Sequence, residues 1–174
     1  ELISRYREMA MQPEIESAVD DIVNEAICQD DDGKIIQIVL DDLKVSDAIK
    51  NKINDEFTEV LYLLDFDGKG HDIFRNWYVD GRLFYHIILD ENPKRGIKEL
   101  RYIDPRKIRK VREIAKKRVR GGETNEATLV RTQNEYYIYN DKGFNYGNKT
   151  VGPTTTGLRI AKDSILHITS GLTD

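Results

Sequence analysis

Among its 174 residues the chain has one cysteine, three histidines, four prolines and two methionines. A single cysteine, Cys28, excludes an internal disulfide framework and fits a reducing cytoplasm. His71, His86 and His167 are scattered, with no pair at metal-ligand spacing, which argues against a metal centre. His86 and His167 fall within apolar strand runs, where a hydrogen-bonded core imidazole is the usual outcome. No apolar run approaches the ~20 residues of a membrane-spanning helix, and no signal peptide is visible. A soluble protein, intracellular where it is made, is therefore expected. Gly68-Lys69-Gly70 lacks both the spacer between glycines and the hydroxyl residue of a phosphate loop. Asp65, Asp67 and Gly70 echo a calcium loop, but Lys69 takes a ligand place and Asn76 stands where a glutamate is needed. Ser164 and Ser170 have no nucleophile-elbow context. No catalytic, cofactor or metal site is expected, and the chain is not expected to be an enzyme.

Charge, by contrast, is abundant and uneven. Residues 1–92 hold 9 Lys/Arg against 22 Asp/Glu, a net −13. Residues 93–120 hold 13 against 3, a net +10, and residues 121–174 hold 5 against 6, a net −1. Such a chain can satisfy itself, dock head-to-tail on copies of itself, or offer its basic part to nucleic acid. The plainest alternative is a solvated basic strand pair. The residues singled out as a protein-contact or phosphate-contact patch are Arg106, Lys107, Arg109, Lys110, Arg112, Lys116, Lys117 and Arg118.

Apolar spacing predicts an α+β fold. A short helix is expected over Leu2–Met11. A second follows Pro13, with Ile15, Ala18, Val19, Ile22, Val23, Ala26 and Ile27 on its apolar face. Ile35 to Leu40 reads as a short β-branched strand. Ser46 is a good N-cap for a helix reaching Leu64, and residues 65–70 are expected to break it before another helix from His71 to Val79. Trp77, beside Phe74 and Tyr78, reads as a packing anchor. Gly81 supplies the left-handed C-cap. Leu83 to Leu89 is apolar on both alternating faces and is placed centrally in a sheet, with Lys98 to Ile103 returning as its partner. After the Asp104-Pro105 corner, residues 109–119 fit either a helix or a strand. Gly121-Gly122 opens a polar loop, Glu135 to Tyr139 is a strand, and residues 140–143 turn toward Phe144 and Tyr146. Residues 152–157 read as loop, before two last strands over 158–161 and 165–168. The architecture expected is an N-terminal helical layer packed on a small antiparallel β-barrel or folded sheet. It divides into a mainly helical part, 1–81, with one short strand, and a mainly β part, 82–174.

Several blocks of this sequence are similar to a known family. They are PEIESAVDDIVNEAI (13–27), VSDAIKNKINDEFTEVLYLLDFDGKGHDIFRNWYVDG (45–81), GRLFYHIILD, GIKELRYIDPRKIRKVRE, EYYIYNDKG (135–143) and KDSILHITSGLTD (162–174). In wording and order they resemble the portal, or head-to-tail connector, protein of tailed bacteriophages in its T-even-type myovirus form. Residues 119–134 and 144–156 are the variable parts. The resemblance implies the wing-containing N-terminal fragment of a longer protein, with channel-lining elements downstream, and it favours a strand over 109–119.

Two functions follow. The resemblance implies a structural subunit of a dodecameric ring at one capsid vertex, serving head assembly initiation, DNA packaging and ejection, and neck-tail attachment. Its implied partners are other portal subunits, major capsid and scaffold proteins, the terminase packaging motor, neck proteins and double-stranded DNA passing through the channel. The implied location is the virion, after assembly in the cytoplasm of the bacterial host. The alternative is a sequence-independent nucleic-acid-binding module using the basic segment 94–118, salt-dependent by nature. That segment lacks the interleaved aromatics that stack on bases.

Overall fold

The computed structural model describes residues 2–30, 33–92, 95–119, 127–144 and 157–171, with side chains described except at 115–119 and 127–133. The helices are α1 (Leu2–Ala10), α2 (Pro13–Ala26), α3 (Asp47–Leu64) and α4 (Phe66–Asp80). The strands are β1 (Arg82–Leu89), β2 (Ile97–Ile103), β3 (Ile108–Val119), β4 (Ala127–Tyr139), β5 (Leu158–Ala161) and β6 (Ile165–Thr169), with a 3-10 turn at Lys162–Ser164. Two antiparallel three-stranded sheets result, ordered β2-β1-β6 and β3-β4-β5. The fold is thus α+β with the sheets folded on one another and not closed into a barrel. The expectations at Gly121-Gly122, Tyr146 and residues 152–156 lie outside the described residues.

The central placement of β1 follows from its apolar pattern. Leu83, Phe84 and Tyr85 are all buried, although they alternate between the two faces of the strand. Phe84 joins Ile108, Tyr137 and Ile165 in the core between the sheets, with Ile103 and Ile160 packed against them. Cover weakens along the strand: Ile87 is half-buried and Leu89 is exposed. Asp104-Pro105 carries the chain from the first sheet to the second. There the Asp104 carboxylate accepts the Arg106 backbone N–H at 2.9 Å, while the Asp104 carbonyl accepts that of Lys107 at 2.8 Å. The 3-10 turn carries it back. Residues 108–119 resolve as strand because each finds a backbone partner in β4, with one bulge at Glu113/Ile114. β4 itself begins at Ala127, well before the expected Glu135.

Two expectations are corrected. Ile35–Leu40 forms no strand, so the helical part carries no short strand among its described residues. Its β-branched composition favours an extended chain, but both sheets are assembled from residues 82–169, and Ile35–Leu40 pairs with none of their strands. The segment instead rests only partly covered, and Val39 is 73% exposed. The break after α3 is one residue long: Asp65 takes the left-handed conformation (φ 51°), and α4 starts at Phe66 with Gly68 and Gly70 inside it. Asp is among the few non-glycine residues that adopt this conformation readily. Gly70 lies inside the helix because a side chain would collide there. A Cβ would stand 3.0 Å from the Phe66 ring and 3.4 Å from Ile27 Cγ2, where the end of α2 packs. Gly70→Val is expected to lower stability by ~1–3 kcal/mol in urea unfolding, although it removes a glycine from a helix.

The other three helices all pack against α4. Only Val19 and Val23 of α2 are buried, and α3 buries no residue fully. Ser46 occupies the N-cap position of α3 as expected, but its carbonyl, not its hydroxyl, accepts the Ile49 and Lys50 N–H groups. Trp77 packs on Phe74 with ring centroids 5.5 Å apart. His167 stacks on Phe84 at 4.3 Å and shares a 3.4 Å hydrogen bond with the Tyr137 hydroxyl, as expected of a core imidazole.

Candidate interaction site at a basic groove

An ion cluster fixes where α1 sits. Arg7 donates to Asp80 through Nε (2.9 Å) and Nη2 (2.6 Å), and through Nη1 to Asp104 at 3.3 Å. Asp80 is the last residue of α4, and its side chain is 1% exposed. Arg106 donates to the same Asp104 at 2.7 Å. Helices α1 and α4 and the corner between the sheets therefore meet at two carboxylates and two guanidiniums. The hydrogen bond to Asp80 drives the pKa of Arg7 upward against the effect of burial, so the guanidinium stays charged. Burial, reinforced by the Asp80 charge, pushes Tyr102 up to about 12.

Burial alone would raise the pKa of Asp104. Hydrogen bonds from the Arg106 side chain and backbone, with the charge of Arg7, outweigh it and hold the group at about 2, below its ordinary 3.8. A depressed folded-state pKa contributes stability above the unfolded value, and the contribution is lost as pH falls through the folded one. The melting temperature is therefore expected to fall between about pH 4 and pH 2. In Asp104→Asn part of that fall should be missing.

Beside this cluster lies an open groove of ≈1530 Å³. Helix α1, through Leu2, Ile3, Ser4, Arg5 and Glu8, forms one wall; the start of β3 and the turn at Lys142–Phe144 form the other. Phe84, Pro105, Ile108, His167, Thr169 and Arg82 also line it. Eight of the lining residues are Arg or Lys, and Glu8 is the one carboxylate among them. Arg106, Lys107, Arg109, Lys110 and Arg112 of the expected patch come together here. Lys116, Lys117 and Arg118 lie beyond the bulge, opposite Val130, Leu129 and Thr128 in backbone register, and their side chains lie outside the described residues.

The strand cations are organised by carboxylates of the β part. Glu135 receives Arg112 and Lys162 at 2.9 Å each and Lys110 at 3.8 Å. The Lys162 hydrogen bond, helped by the charges of Lys110 and Arg112, lowers its pKa. Lys107 meets Asp141 at 3.0 Å, and Arg109 lies over the Phe144 ring at 4.0 Å. These contacts hold the side chains in place, and the groove rim keeps its predominance of positive charge.

Sequence reading missed Arg5, Arg82 and Lys142 in the groove and the Arg7–Asp80 anchor. The groove wall from α1 reaches residues about a hundred positions away, which no local pattern reports. Asp80 did carry a signal. A carboxylate in the last turn of a helix opposes the macrodipole, so a specific cationic partner was implied.

No helix among the described residues is long and apolar enough to cross a membrane. A family model described as "Bacteriophage T4-like portal protein (Gp20)" matches residues 1–174. The portal protein of Vibrio phage KVP40 is 38% identical over 174 residues, covering 99% of this chain and 33% of that protein. The portal protein of Salmonella phage ViI is 37% identical over 175 residues, covering 98% and 31% respectively. The chain thus spans about a third of the length of these relatives. It belongs to the T4-like portal protein family of bacteriophages.

Proposed function

We propose that this chain is the wing-containing part of a portal subunit and acts as a structural assembly element, not as an enzyme. The observation that carries the reading is the family-model match over residues 1–174, with 98–99% of the chain aligned to proteins named as portal proteins. The whole protein would form a dodecameric ring at one capsid vertex of the virion, assembled in the host cytoplasm. It would meet neighbouring subunits, capsid or scaffold proteins, the packaging motor and neck proteins, with double-stranded DNA passing through its channel. Residues 1–81 and 82–174 would be two subdomains of one wing, tied by the Arg7–Asp80–Asp104 cluster. The nucleic-acid alternative finds no support in the relatives' names.

Reversing Arg109, Lys110 and Arg112 to Glu tests this reading in the parent protein. Lys110 and Arg112 share the partly covered Glu135, and surface pairs of this kind contribute ~0–1 kcal/mol each, so the 174-residue chain should keep its circular dichroism spectrum with somewhat lowered stability. Yield of filled heads should fall sharply. Unchanged head yield would remove the basic groove from assembly. Duplex binding by the wild-type chain should be weak and vanish near physiological salt.

A further inference from the structure

We propose that the basic groove receives the acidic outer shoulder of α2 from a second copy of this chain. The inference deepens the ring reading and rests on it in one respect, that a neighbouring copy is always at hand. The groove offers cations around apolar side chains, with Phe84, Ile108 and Phe144 among its lining. Its occupant should therefore present an apolar strip edged by carboxylates.

Helix α2 has that form. At 100° per residue, Val19, Val23 and Ile27 point toward α4 and are buried, at 4–6% exposure. Ile15 and Ile22 fall on the adjoining shoulder, both 38% exposed, with Ala18 exposed between them. Glu14, Asp21 and Glu25, at spacings of seven and four, form an exposed ridge along the outer edge of that shoulder. The helix contains no Lys or Arg. Within the chain, the groove is lined by α1 and the β part, and α2 contributes nothing to it. Each copy thus carries a groove and its complement on different elements. A contact of that kind is head-to-tail, and its repetition closes a ring or extends a filament. Opposite charge would set register and speed the encounter, while the apolar strip supplies the area.

The test uses complementary reversal in the 174-residue chain. One variant carries Lys107→Glu and Lys142→Glu in the groove; the other carries Glu14→Lys, Asp21→Lys and Glu25→Lys on α2. Sedimentation at low salt should show weak, salt-sensitive self-association of the wild type, and at least tenfold weaker association of either variant alone. Mixed in equal amounts, the two should associate again, because the native α2 of the groove variant fits the native groove of the α2 variant. Circular dichroism checks folding, and Lys142→Glu with Glu25→Lys forms a milder pair should a full variant fail to fold. A wild type that stays monomeric to millimolar concentration overturns the proposal. So does association indifferent to the reversals, a mixture that does not recover, or a tight groove-dependent duplex complex at physiological salt. Any of these would remove this contact and leave the portal reading, which rests on the family match and is tested by ring formation in the parent protein.

Discussion

Phe84→Ala is expected to destabilise the chain by ~3–5 kcal/mol, the largest effect of any single core truncation here. Phe84 is 3% exposed and joins the two sheets. Its ring stacks on His167 at 4.3 Å and meets Tyr137 edge-on at 6.0 Å, so truncation removes buried area and two ring contacts together. Because Phe84 pairs with Ile103 on one side and His167 on the other, the cavity would open at the middle of the first sheet. Urea unfolding measures the loss. A change under ~0.5 kcal/mol would mean that the sheets are not packed through this residue. Ile87, half-buried further along the same strand, should cost clearly less when truncated.

The second large effect is expected at Arg7. Arg7→Ala leaves the Asp80 carboxylate, 1% exposed, without its bidentate partner. Removing one member of a buried pair costs ~3–5 kcal/mol, and the partial exposure of Arg7, 26%, places the expected value toward the lower end. Asp80→Ala should cost less, because Arg7 keeps Asp104 at 3.3 Å and some solvent. The double variant should be more stable than the sum of the two single losses implies. A double-mutant cycle with no coupling would show that the helices are not anchored to the sheet corner through this pair.

The parts of this fold that could be read from sequence are those decided by local chemistry. Gly81 caps α4 in the left-handed conformation (φ 71°) because a helix must end there and glycine permits that backbone. β1 is central because its two apolar faces both need cover. The parts that escaped depend on what else is nearby. Ile35–Leu40 has the composition of a strand but pairs with no strand of either sheet. The start of α4 was hidden by two glycines, and at Gly70 the reason is tertiary, the packing of Ile27 from the end of α2 beside Phe66. Spacing alone left residues 109–119 open between helix and strand, since their state is set by pairing with β4.

The same distinction applies to the groove. The charge run of the second wall was plain in the sequence, and five of its eight named residues gather there. The first wall was invisible, because α1, which brings Arg5 to the groove, is anchored by the contacts of Arg7 with Asp80 and Asp104 made across 73 and 97 residues. Charge runs report composition. Only the fold reports what faces them.

At micromolar concentration the 174-residue chain is expected to be a monomer or weak oligomer by mass photometry, since it spans only a third of its relatives' length. The most direct measurement of the central claim is an electron-microscopy reconstruction of the intact parent protein. The expected result is a closed ring in which residues 1–174 project outward, away from the channel wall, with the groove of each subunit against its neighbour. A parent protein that forms no ring, or a ring whose channel is lined by this groove, would contradict it.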